Sequence, residues 1–425
     1  MKETFLHHIW KMRYFNQTDL KTTHHSFVEI IHQGNINQNA GPDFLNAEIV
    51  IGKQLWAGSV EMHINSSDWD LHQHSQDLAY QNVILHVVWN HDKEIDYLRS
   101  RNVETLVLKD FVPKEIVFNY ENILNQNQQK IPCQNLFQTS KIDWDKINFW
   151  FDGLLVDRLK YKTKTVIDLY EKCNHAWEEV TFKLIAQNFG LKINQEAFEI
   201  WAASFPFKVL QKVQQNPQQV EALFFGQAGF LAEVFDEYAA TLQTEYHFLQ
   251  RKFNLNPIPK SIFKFSSLRP LGFPTIRIAQ LSSLYANYNS IFSEIIQFKT
   301  IQQFENFLGS IKTSVYWETH YVFGKESKLI RKSISVSKIH NLIINTILPL
   351  RFTYEKLQDN LDIDFYFQLL EHLKSEQNSV IDLYKEIGFK PKSAKDSQAL
   401  LQLKKCYCDE KKCLNCAIGT EVLKP

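Results

Sequence analysis

Residues 41–65 read GPDFLNAEIVIGKQLWAGSVEMHIN, and this stretch determines which fold the N-terminal region can adopt. Residues 47–51 and 59–64 are β-prone runs, and they flank a turn at residues 52–54 that contains a glycine. Two such runs joined by a short glycine turn are typical of an antiparallel hairpin. We therefore expect two paired strands in this part of the chain.

The hairpin is expected to bring together three chemically active side chains. Glu61 and His63 are two positions apart on one strand and share a face of the sheet. A turn centred near Lys53 places Asp43 opposite His63, at a Cβ separation of roughly 4.5–5.5 Å. A hard divalent cation would relieve the repulsion between the two carboxylates. The pattern predicts a Mg²⁺ or Mn²⁺ site that could polarise a phosphoryl oxygen.

The flanking segments predict that this hairpin belongs to a small α/β unit. Residues 3–14 carry a helical apolar stripe, and residues 68–81 are polar with helical character. Residues 27–31, 83–89 and 104–108 are β-prone, and residues 83–89 form the continuous apolar run of a buried strand. The predicted order begins with a helix, three strands, a helix and a strand.

This order of elements, together with its acidic residues, resembles the PD-(D/E)XK nuclease superfamily. The matching residues are Pro42-Asp43 before the second strand and Glu61-Met62-His63 on the third. The resemblance covers about 90 residues and implies a restriction-endonuclease-like α-β-β-β-α-β domain. It implies that Asp43 and Glu61 ligate the metal with help from the Met62 carbonyl. The third residue of the motif would orient or deprotonate the attacking water.

Two further residues match one branch of that superfamily, and one residue departs from its pattern. Gln76 and Tyr80 stand where the exonuclease-like branch carries a Gln-x-x-x-Tyr element, so the resemblance implies a catalytic role for both. His63 stands where the family usually has lysine. A histidine could activate water near neutral pH. It could equally ligate the metal and shift the preference towards transition metals.

The histidines near this motif suggest a different metal centre. His72-Gln73-His74 is followed by Asp77, and in a loop the two imidazoles can converge. If they also meet His63, the site could hold zinc or manganese and catalyse general metal-dependent hydrolysis. His86, in an otherwise apolar strand, is expected to be a hydrogen-bonded core histidine.

A second metal site is predicted near the C-terminus. Its four candidate ligands lie within eleven residues: Cys406, Cys408, Cys413 and Cys416. Closely spaced cysteines in a reducing compartment indicate metal binding rather than disulfides. Zinc is the first choice and an iron–sulfur cluster is the alternative. Cys133 and Cys173 are expected to be structural.

The bulk composition limits the partners of the chain. Lysine and arginine together number 47, as do aspartate and glutamate, so the net charge is zero. Any nucleic-acid contact must therefore come from local basic patches. The N-terminal sequence lacks a secretory apolar segment, and no apolar run reaches the roughly 18 residues of a membrane span. We expect a cytoplasmic protein that does not contact membranes.

The pattern changes along the chain predict four segments. Residues 1–121 form the nuclease-like α/β domain, and the Asn- and Gln-rich residues 122–143 form a linker. Residues 144–403 have mainly helical periodicity and form a large helical domain. Residues 404–425 form a separate cysteine-rich, metal-binding tail.

The chain as a whole also resembles an uncharacterised bacterial protein family, in residues 41–47, 221–231 and 269–281. No activity is attached to that family, so the functional prediction rests on the N-terminal motif. It is a metal-dependent phosphodiesterase of nuclease type that acts on nucleic acid. Two alternatives remain. One is a non-catalytic nucleic-acid or protein-binding module that retains the nuclease fold, and the other is a zinc-type hydrolase that uses the histidines.

Overall fold

The computed structural model describes residues 1–37, 39–125 and 130–424, and the chain divides into two compact units. The first unit comprises Met1–Trp150, Asp382–Phe389 and Leu403–Pro425, and the second comprises Phe151–Ile381 and Lys390–Gln402. The N-terminal region is a mixed sheet with helices, and a large helical region follows it, which confirms the predicted fold class at that level.

A six-stranded mixed sheet organises the first unit. Its strands are β1 (Val28–His32), β2 (Asn35–Ile36), β3 (Phe44–Ile51), β4 (Gln54–Asn65), β5 (Val83–Asn90) and β6 (Glu104–Val107). The strand order is β1-β3-β4-β5-β6, with β2 paired to β3. β1, β3 and β4 are antiparallel neighbours, whereas β5 and β6 run parallel to β4. β5 is buried along almost its whole length, as its apolar sequence predicted.

The predicted hairpin forms, but its register differs from the expected one. Ile51 pairs with Gln54 across a two-residue turn, and Gly52 adopts the positive φ that this turn needs. The pairing then shifts at a bulge, where Asn46 also has a positive φ of 59°. Because of this shift, Phe44 pairs with Val60. The prediction that Asp43 lies opposite His63 is therefore wrong.

The connection between β4 and β5 is less helical than expected. The predicted helix over residues 68–81 is replaced by a short helix α2 (Asp68–Leu71) and 3₁₀ turns at His74–Gln76 and Leu78–Asn82. Gln73 adopts a left-handed conformation with φ 59°, which ends the helical path. Asp77 then caps the next turn by accepting a hydrogen bond from the Ala79 backbone.

The remaining helices of the chain follow in order. They are α1 (Glu3–Met12), α3 (Asp96–Ser100), α4 (Lys114–Asn125), α5 (Gln134–Thr139), α6 (Trp144–Lys172), α7 (Trp177–Phe189), α8 (Leu191–Ala203), α9 (Phe207–Val213), α10 (Pro217–Gln227), α11 (Glu237–Phe253), α12 (Pro274–Asn287), α13 (Ile291–Gln297), α14 (Ile301–Gly309), α15 (Val336–Leu342), α16 (Leu348–Leu357), α17 (Ile363–His372), α18 (Ser379–Glu386), α19 (Ala394–Leu403) and α20 (Ala417–Leu423). In the described part of the chain, no helix has the length and apolarity needed to cross a bilayer.

Two predicted boundaries differ from the structure. The predicted linker, residues 122–143, contains the end of α4 and all of α5, while residues 126–129 lie outside the described part of the chain. The predicted separate tail, residues 404–425, belongs to the first unit. There α20 packs on α4 and α5, and the Tyr14 hydroxyl donates to the Thr420 carbonyl at 3.0 Å. Apolar faces on these short helices explain why the tail is not free.

The second unit is helical around an aromatic core. The Trp201 ring is fully buried, contacts the Phe224 ring at 4.9 Å and donates its Nε1–H to the Phe224 carbonyl. This unit also holds a small hairpin of β7 (His320–Val322) and β8 (Lys325–Glu326), which the helical periodicity did not predict. A π-helical turn at Ile343–Ile347 joins α15 to α16.

Candidate metal centre

Three histidines of the first unit converge at the end of β4. The ligand nitrogens of His63, His72 and His74 all lie within 4.8 Å of one another, and no other such group occurs in the part of the chain that the structure describes. His63 Nε2 is 3.2 Å from His72 Nδ1. His63 lies on β4, whereas His72 and His74 follow α2 on either side of the left-handed Gln73. Imidazole nitrogens in this arrangement are ligands for zinc, manganese and related ions.

Aromatic packing holds this histidine cluster in place. Trp69 is fully buried, and its Nε1–H donates to Ser75 Oγ at 3.0 Å. His74 stacks on Tyr80 with ring centroids 3.8 Å apart. His63 Nδ1 lies 2.9 Å from Nε2 of His86, which is completely buried behind it. The second imidazole therefore orients the first, the role that an outer partner plays for a metal ligand.

Two carboxylates border the histidine cluster. Glu61 Oε1 lies 3.5 Å from His63 Nε2 and 3.3 Å from His74 Nε2. Asp43 donates its backbone N–H to Glu61 Oε2, and its own Oδ2 accepts the N–H of Met62 at 3.0 Å. The bulge in β3 thus places Asp43 next to Glu61 and Met62. The structure brings Asp43, Glu61 and His63 together by a different register from the one the sequence suggested.

Buried nitrogens without a hydrogen bond show where a cation would fit. His74 Nε2 is buried and makes no hydrogen bond to any described residue, although Glu61 Oε1 is only 3.3 Å away. His7 Nε2 is in the same situation, 3.2 Å from Asp43 Oδ2. A buried polar atom normally finds a partner. Nitrogens that face carboxylates without bonding to them fit a site that a metal ion completes.

Helix α1 contributes two residues that the sequence analysis missed. Glu3 and His7 are four positions apart and share a face of the helix. His7 approaches Asp43, and burial together with the Asp43 charge raises the pKa of Glu3. The charge of His72 also acts on Glu3. The Glu3–His7 spacing was visible in the sequence, but nothing local indicated which part of the sheet this face would cover.

Burial favours the neutral form of the His63, His74 and His86 imidazoles. Burial, and then the neighbouring imidazoles beginning with His86, lower the pKa of His63 to about 2. Burial also lowers the pKa of His86 to about 3 and lowers that of His74. Neutral imidazoles have lone pairs available for a metal. Burial and the Asp43 charge raise the pKa of Glu61 to about 9, which a bound cation would reverse.

The two residues of the Gln-x-x-x-Tyr element lie in different surroundings. Tyr80 stacks on His74, and burial followed by the charge of Glu61 raises the pKa of its hydroxyl to about 12. Gln76 ends a 3₁₀ turn and its side chain is exposed. Tyr80 therefore belongs to the wall of the site. The solvent-facing position of Gln76 reflects the replacement of the predicted helix by short turns.

A fifth cysteine, Cys133, lies near three of the four cysteines that the sequence predicted as metal ligands. Cys133 precedes α5 and Cys416 precedes α20, and these two helices pack against each other. Burial and then the thiols of Cys416, Cys408 and Cys413 raise the pKa of Cys133. Cys133, expected to be merely structural, is thus a neighbour of three of the predicted ligands. The six cysteines all lie in the described part of the chain, and none of them is in a disulfide.

Aromatic contacts connect this cluster to the rest of the first unit. The Tyr384 hydroxyl lies 3.3 Å from Cys408 Sγ. The Tyr384 ring contacts Phe389, which stacks on Phe137 of α5 at 4.7 Å. A continuous series of contacts therefore runs from Cys408 through the three aromatic rings to α5, the helix that Cys133 precedes. The sequence could not show this, because Cys133 is far from the other cysteines along the chain.

The chain matches the family described as "Protein of unknown function (DUF2851)" over residues 3–379. The protein therefore belongs to the DUF2851 family. No curated protein and no solved structure matches the chain.

Proposed function

We propose that this protein is a metal-dependent hydrolase that cleaves phosphodiester bonds in nucleic acid. The observation that carries the proposal is the meeting of His63, His72 and His74 within 4.8 Å, beside the carboxylates of Glu61 and Asp43. Three imidazoles next to carboxylates favour Mn²⁺ or Zn²⁺ over Mg²⁺. Such an ion, when bound, polarises a phosphoryl oxygen and lowers the pKa of a bound water.

The residues around the ion would have different roles in metal binding and proton transfer. His63, His72 and His74 would hold the metal, with Glu61 as a carboxylate ligand that releases its proton when the cation binds. Asp43 is fixed by the Met62 N–H at 3.0 Å and can accept a proton or a metal contact through its remaining oxygen. The restriction-endonuclease-like arrangement implied by the sequence motif agrees with helix α1 and a mixed sheet in which β4 carries the motif.

A basic cavity supports an anionic polymer as the substrate. A cavity of about 500 Å³ in the first unit has His7 in its wall, and His7 lies 3.2 Å from Asp43 Oδ2 at the edge of the metal centre. Its wall also carries the lysines Lys2, Lys11, Lys411 and Lys412. Lysines contact phosphate groups without regard to sequence. This local patch supplies the positive charge that the neutral chain lacks overall.

The proposal is tested by nuclease assays on the full chain. Single- and double-stranded DNA and RNA are incubated with Mn²⁺, Zn²⁺ or Mg²⁺, using the natural sequence, Asp43→Asn and His72→Ala. We expect cleavage with at least one metal and a loss of roughly 100-fold or more in both variants, since the metal supplies several kcal/mol. His247→Ala changes an exposed histidine of α11 and should cleave normally. Equal cleavage by all four proteins, or by none, would contradict the proposal.

A second candidate is a zinc-type hydrolase of a small substrate, which the three-imidazole cluster favours. It predicts hydrolysis of small phosphoesters or carboxyl esters without cleavage of polynucleotides. A non-catalytic binding module would instead bind nucleic acid in all variants and cleave nothing. Parallel assays with bis(p-nitrophenyl) phosphate, p-nitrophenyl acetate and oligonucleotide binding distinguish these outcomes.

We also propose a structural metal at the cysteine cluster of Cys133, Cys408, Cys413 and Cys416. Packing of α5 on α20, the Tyr384–Cys408 contact and the influence of the other three thiols on the pKa of Cys133 support this ligand set, although in the described part of the chain its sulfurs do not converge as closely as the three imidazoles do. Zinc or an iron–sulfur cluster held by four thiolates would tie residues 131–139 to the C-terminal segment. It would also brace the loop that carries Lys411 and Lys412 on the cavity wall.

A further inference from the structure

The second unit contains a cavity of about 550 Å³ whose wall is polar and basic. Three cationic side chains line it: Arg277, Lys338 and Lys192. Among the described residues, none that lines the wall is an aspartate or a glutamate. A cavity of this volume is within the range of small-molecule sites, which is roughly 300–1,000 Å³. Because the side chains in its wall carry positive charge, the cavity would bind an anionic ligand.

Two of the cations are buried, and no carboxylate of a described residue is paired with either of them. Arg277 is only 9% exposed, and its Nε makes no hydrogen bond to any described residue. Its Nη1 donates to the neutral Gln280 at 2.8 Å. Lys338 is 6% exposed, and its Nζ donates to the carbonyl and side-chain oxygens of Asn188. Buried charges in proteins are normally paired, so these two lack the anion that would complete the arrangement.

The positive charge of Arg277 acts on Lys338 in the cavity that both residues line. Burial and then the positive charge of Arg277 lower the pKa of Lys338 to about 7. Burial alone lowers the pKa of Arg277 to about 10. A dianion between the two groups would offset the burial of both and the effect of the Arg277 charge on Lys338. An arginine and a lysine that converge in this way are a common phosphate-binding pair.

Irregular backbone brings neutral polar groups to the same cavity. The π-helical turn Ile343–Ile347 places Asn345 and Thr346 in the wall. Single π-helical turns inside helices occur frequently at functional sites. Amides from Gln187, Asn188 and Asn341 also line the cavity. These amides can hydrogen-bond the organic part of a ligand that is larger than the anion itself.

We propose that this cavity binds a phosphate-bearing small molecule, with its phosphate between Arg277 and Lys338. The shared chemistry is the phosphate group, and the volume and the amides fit a ligand of nucleotide size. The site lies wholly in the helical unit and is independent of the proposed hydrolase function. Lys192, exposed at the rim, adds a positive charge at the entrance.

Isothermal titration calorimetry on the full chain in EDTA tests this site without a metal in the histidine cluster. The probes are inorganic phosphate, the four 5′-ribonucleoside monophosphates and the corresponding nucleosides. We expect phosphate or at least one monophosphate to bind, and the nucleosides to bind at least 50-fold more weakly. Tighter binding of a monophosphate than of phosphate would identify a nucleotide as the source of the phosphate group. Absence of binding by phosphate and by all four monophosphates would overturn the proposal.

Two variants and a control assign the binding to this cavity. Arg277→Gln should weaken binding at least tenfold, and circular dichroism checks that it folds. Lys192→Glu changes an exposed residue, leaves the core intact and should weaken binding at least threefold. Lys312→Glu makes the same charge change on an exposed lysine outside the cavity and should leave binding unchanged. Binding that is insensitive to both cavity variants would overturn the proposal.

Discussion

The backbone N–H of Asp43 donates to Glu61 Oε2 at 3.1 Å, so the two acidic residues are linked directly across the β3–β4 pair. The Met62 N–H returns a hydrogen bond to Asp43 Oδ2. Backbone donors thus fix one oxygen of each side chain independently of any ligand. These two hydrogen bonds hold the carboxylates of Asp43 and Glu61 next to the histidine cluster.

His72→Ala is expected to lower the affinity for Mn²⁺ and Zn²⁺ by at least about tenfold, since it removes one of three converging imidazoles. The side chain is exposed, so the free energy of unfolding of the metal-free protein should change by less than about 0.5 kcal/mol. Calorimetric titration of the metal-free protein measures the affinity for each of the two ions. His247→Ala is the control, and unchanged affinity in His72→Ala would contradict the assignment.

His7→Gln should lower phosphodiesterase activity by roughly tenfold while the protein stays folded, because an imidazole nitrogen 3.2 Å from Asp43 Oδ2 is lost. Initial rates at saturating metal measure the effect. Lys11→Gln, on the same helix and the same cavity wall, separates loss of the imidazole from loss of cavity charge. A full rate in His7→Gln, or an equal loss of rate in Lys11→Gln, would refute the role of the imidazole.

Cys133→Ser should remove most of the metal bound at the cysteine cluster, whereas Cys406→Ser should retain it. The reason is that Cys133 is close enough to the other three thiols for their charges, after burial, to raise its pKa, although Cys406 is closer to them in sequence. Elemental analysis and the absorption spectrum of the purified proteins measure zinc and iron. Cys173→Ser, in the second unit, is the control. The opposite result for the first two variants would restore the sequence-based ligand set.

The free energy of unfolding should rise with pH between about 7 and 10.4 because of Lys338. A lysine titrates near 10.4 when unfolded, and burial followed by the Arg277 charge lowers its folded pKa to about 7. Between these values the unfolded chain binds more protons, so alkaline pH favours the folded state. The contribution is roughly 3–5 kcal/mol over the window.

Urea unfolding at several pH values, compared between the natural sequence and Lys338→Met, measures this contribution. The variant should have a flatter profile and should be the more stable protein at pH 7. Lys312→Met alters an exposed lysine and should keep the natural profile. If Lys338→Met and the natural sequence had identical profiles, the burial of Lys338 would not contribute to the pH dependence of the free energy of unfolding.

Gly226→Ala should destabilise the second unit by about 1–3 kcal/mol, since a Cβ there would lie 2.1 Å from the Tyr246 ring. Gly153→Ala is the matched helical control, because its Cβ would meet nothing within 4 Å. That change should be neutral or stabilising by up to about 1 kcal/mol. Thermal unfolding of both variants measures the difference in stability between them. Equal midpoints would contradict the close packing of Gly226 against the Tyr246 ring.

Local sequence predicted much of the first unit. Apolar runs indicated β1, β3, β4, β5 and β6, and the glycine turn indicated the hairpin between β3 and β4. Runs rich in β-branched and aromatic residues fit the extended backbone of a strand, so they predict strands before the partner strand is known. The two-residue β2 carries too few residues for any pattern, and it forms only because β3 offers it a free edge.

The candidate site was predicted in part. Glu61 and His63 share a strand, so their proximity follows from the strand period alone. The convergence of His72 and His74 depended on the left-handed Gln73, which no periodicity predicts. Asp43 reaches Glu61 through a bulge at Asn46, and a one-residue shift of this kind changes which side chains meet.

The sequence by itself determined the strands, the hairpin and the types of side chain available, because these depend on neighbours a few residues apart. Tertiary structure alone decided that α1 brings Glu3 and His7 to Asp43, that Cys133 joins the C-terminal thiols, and that Arg277 and Lys338 share a cavity. These contacts join residues distant in the chain. They depend on how the helices and the sheet pack to bury their apolar faces. A local sequence pattern does not predict this packing.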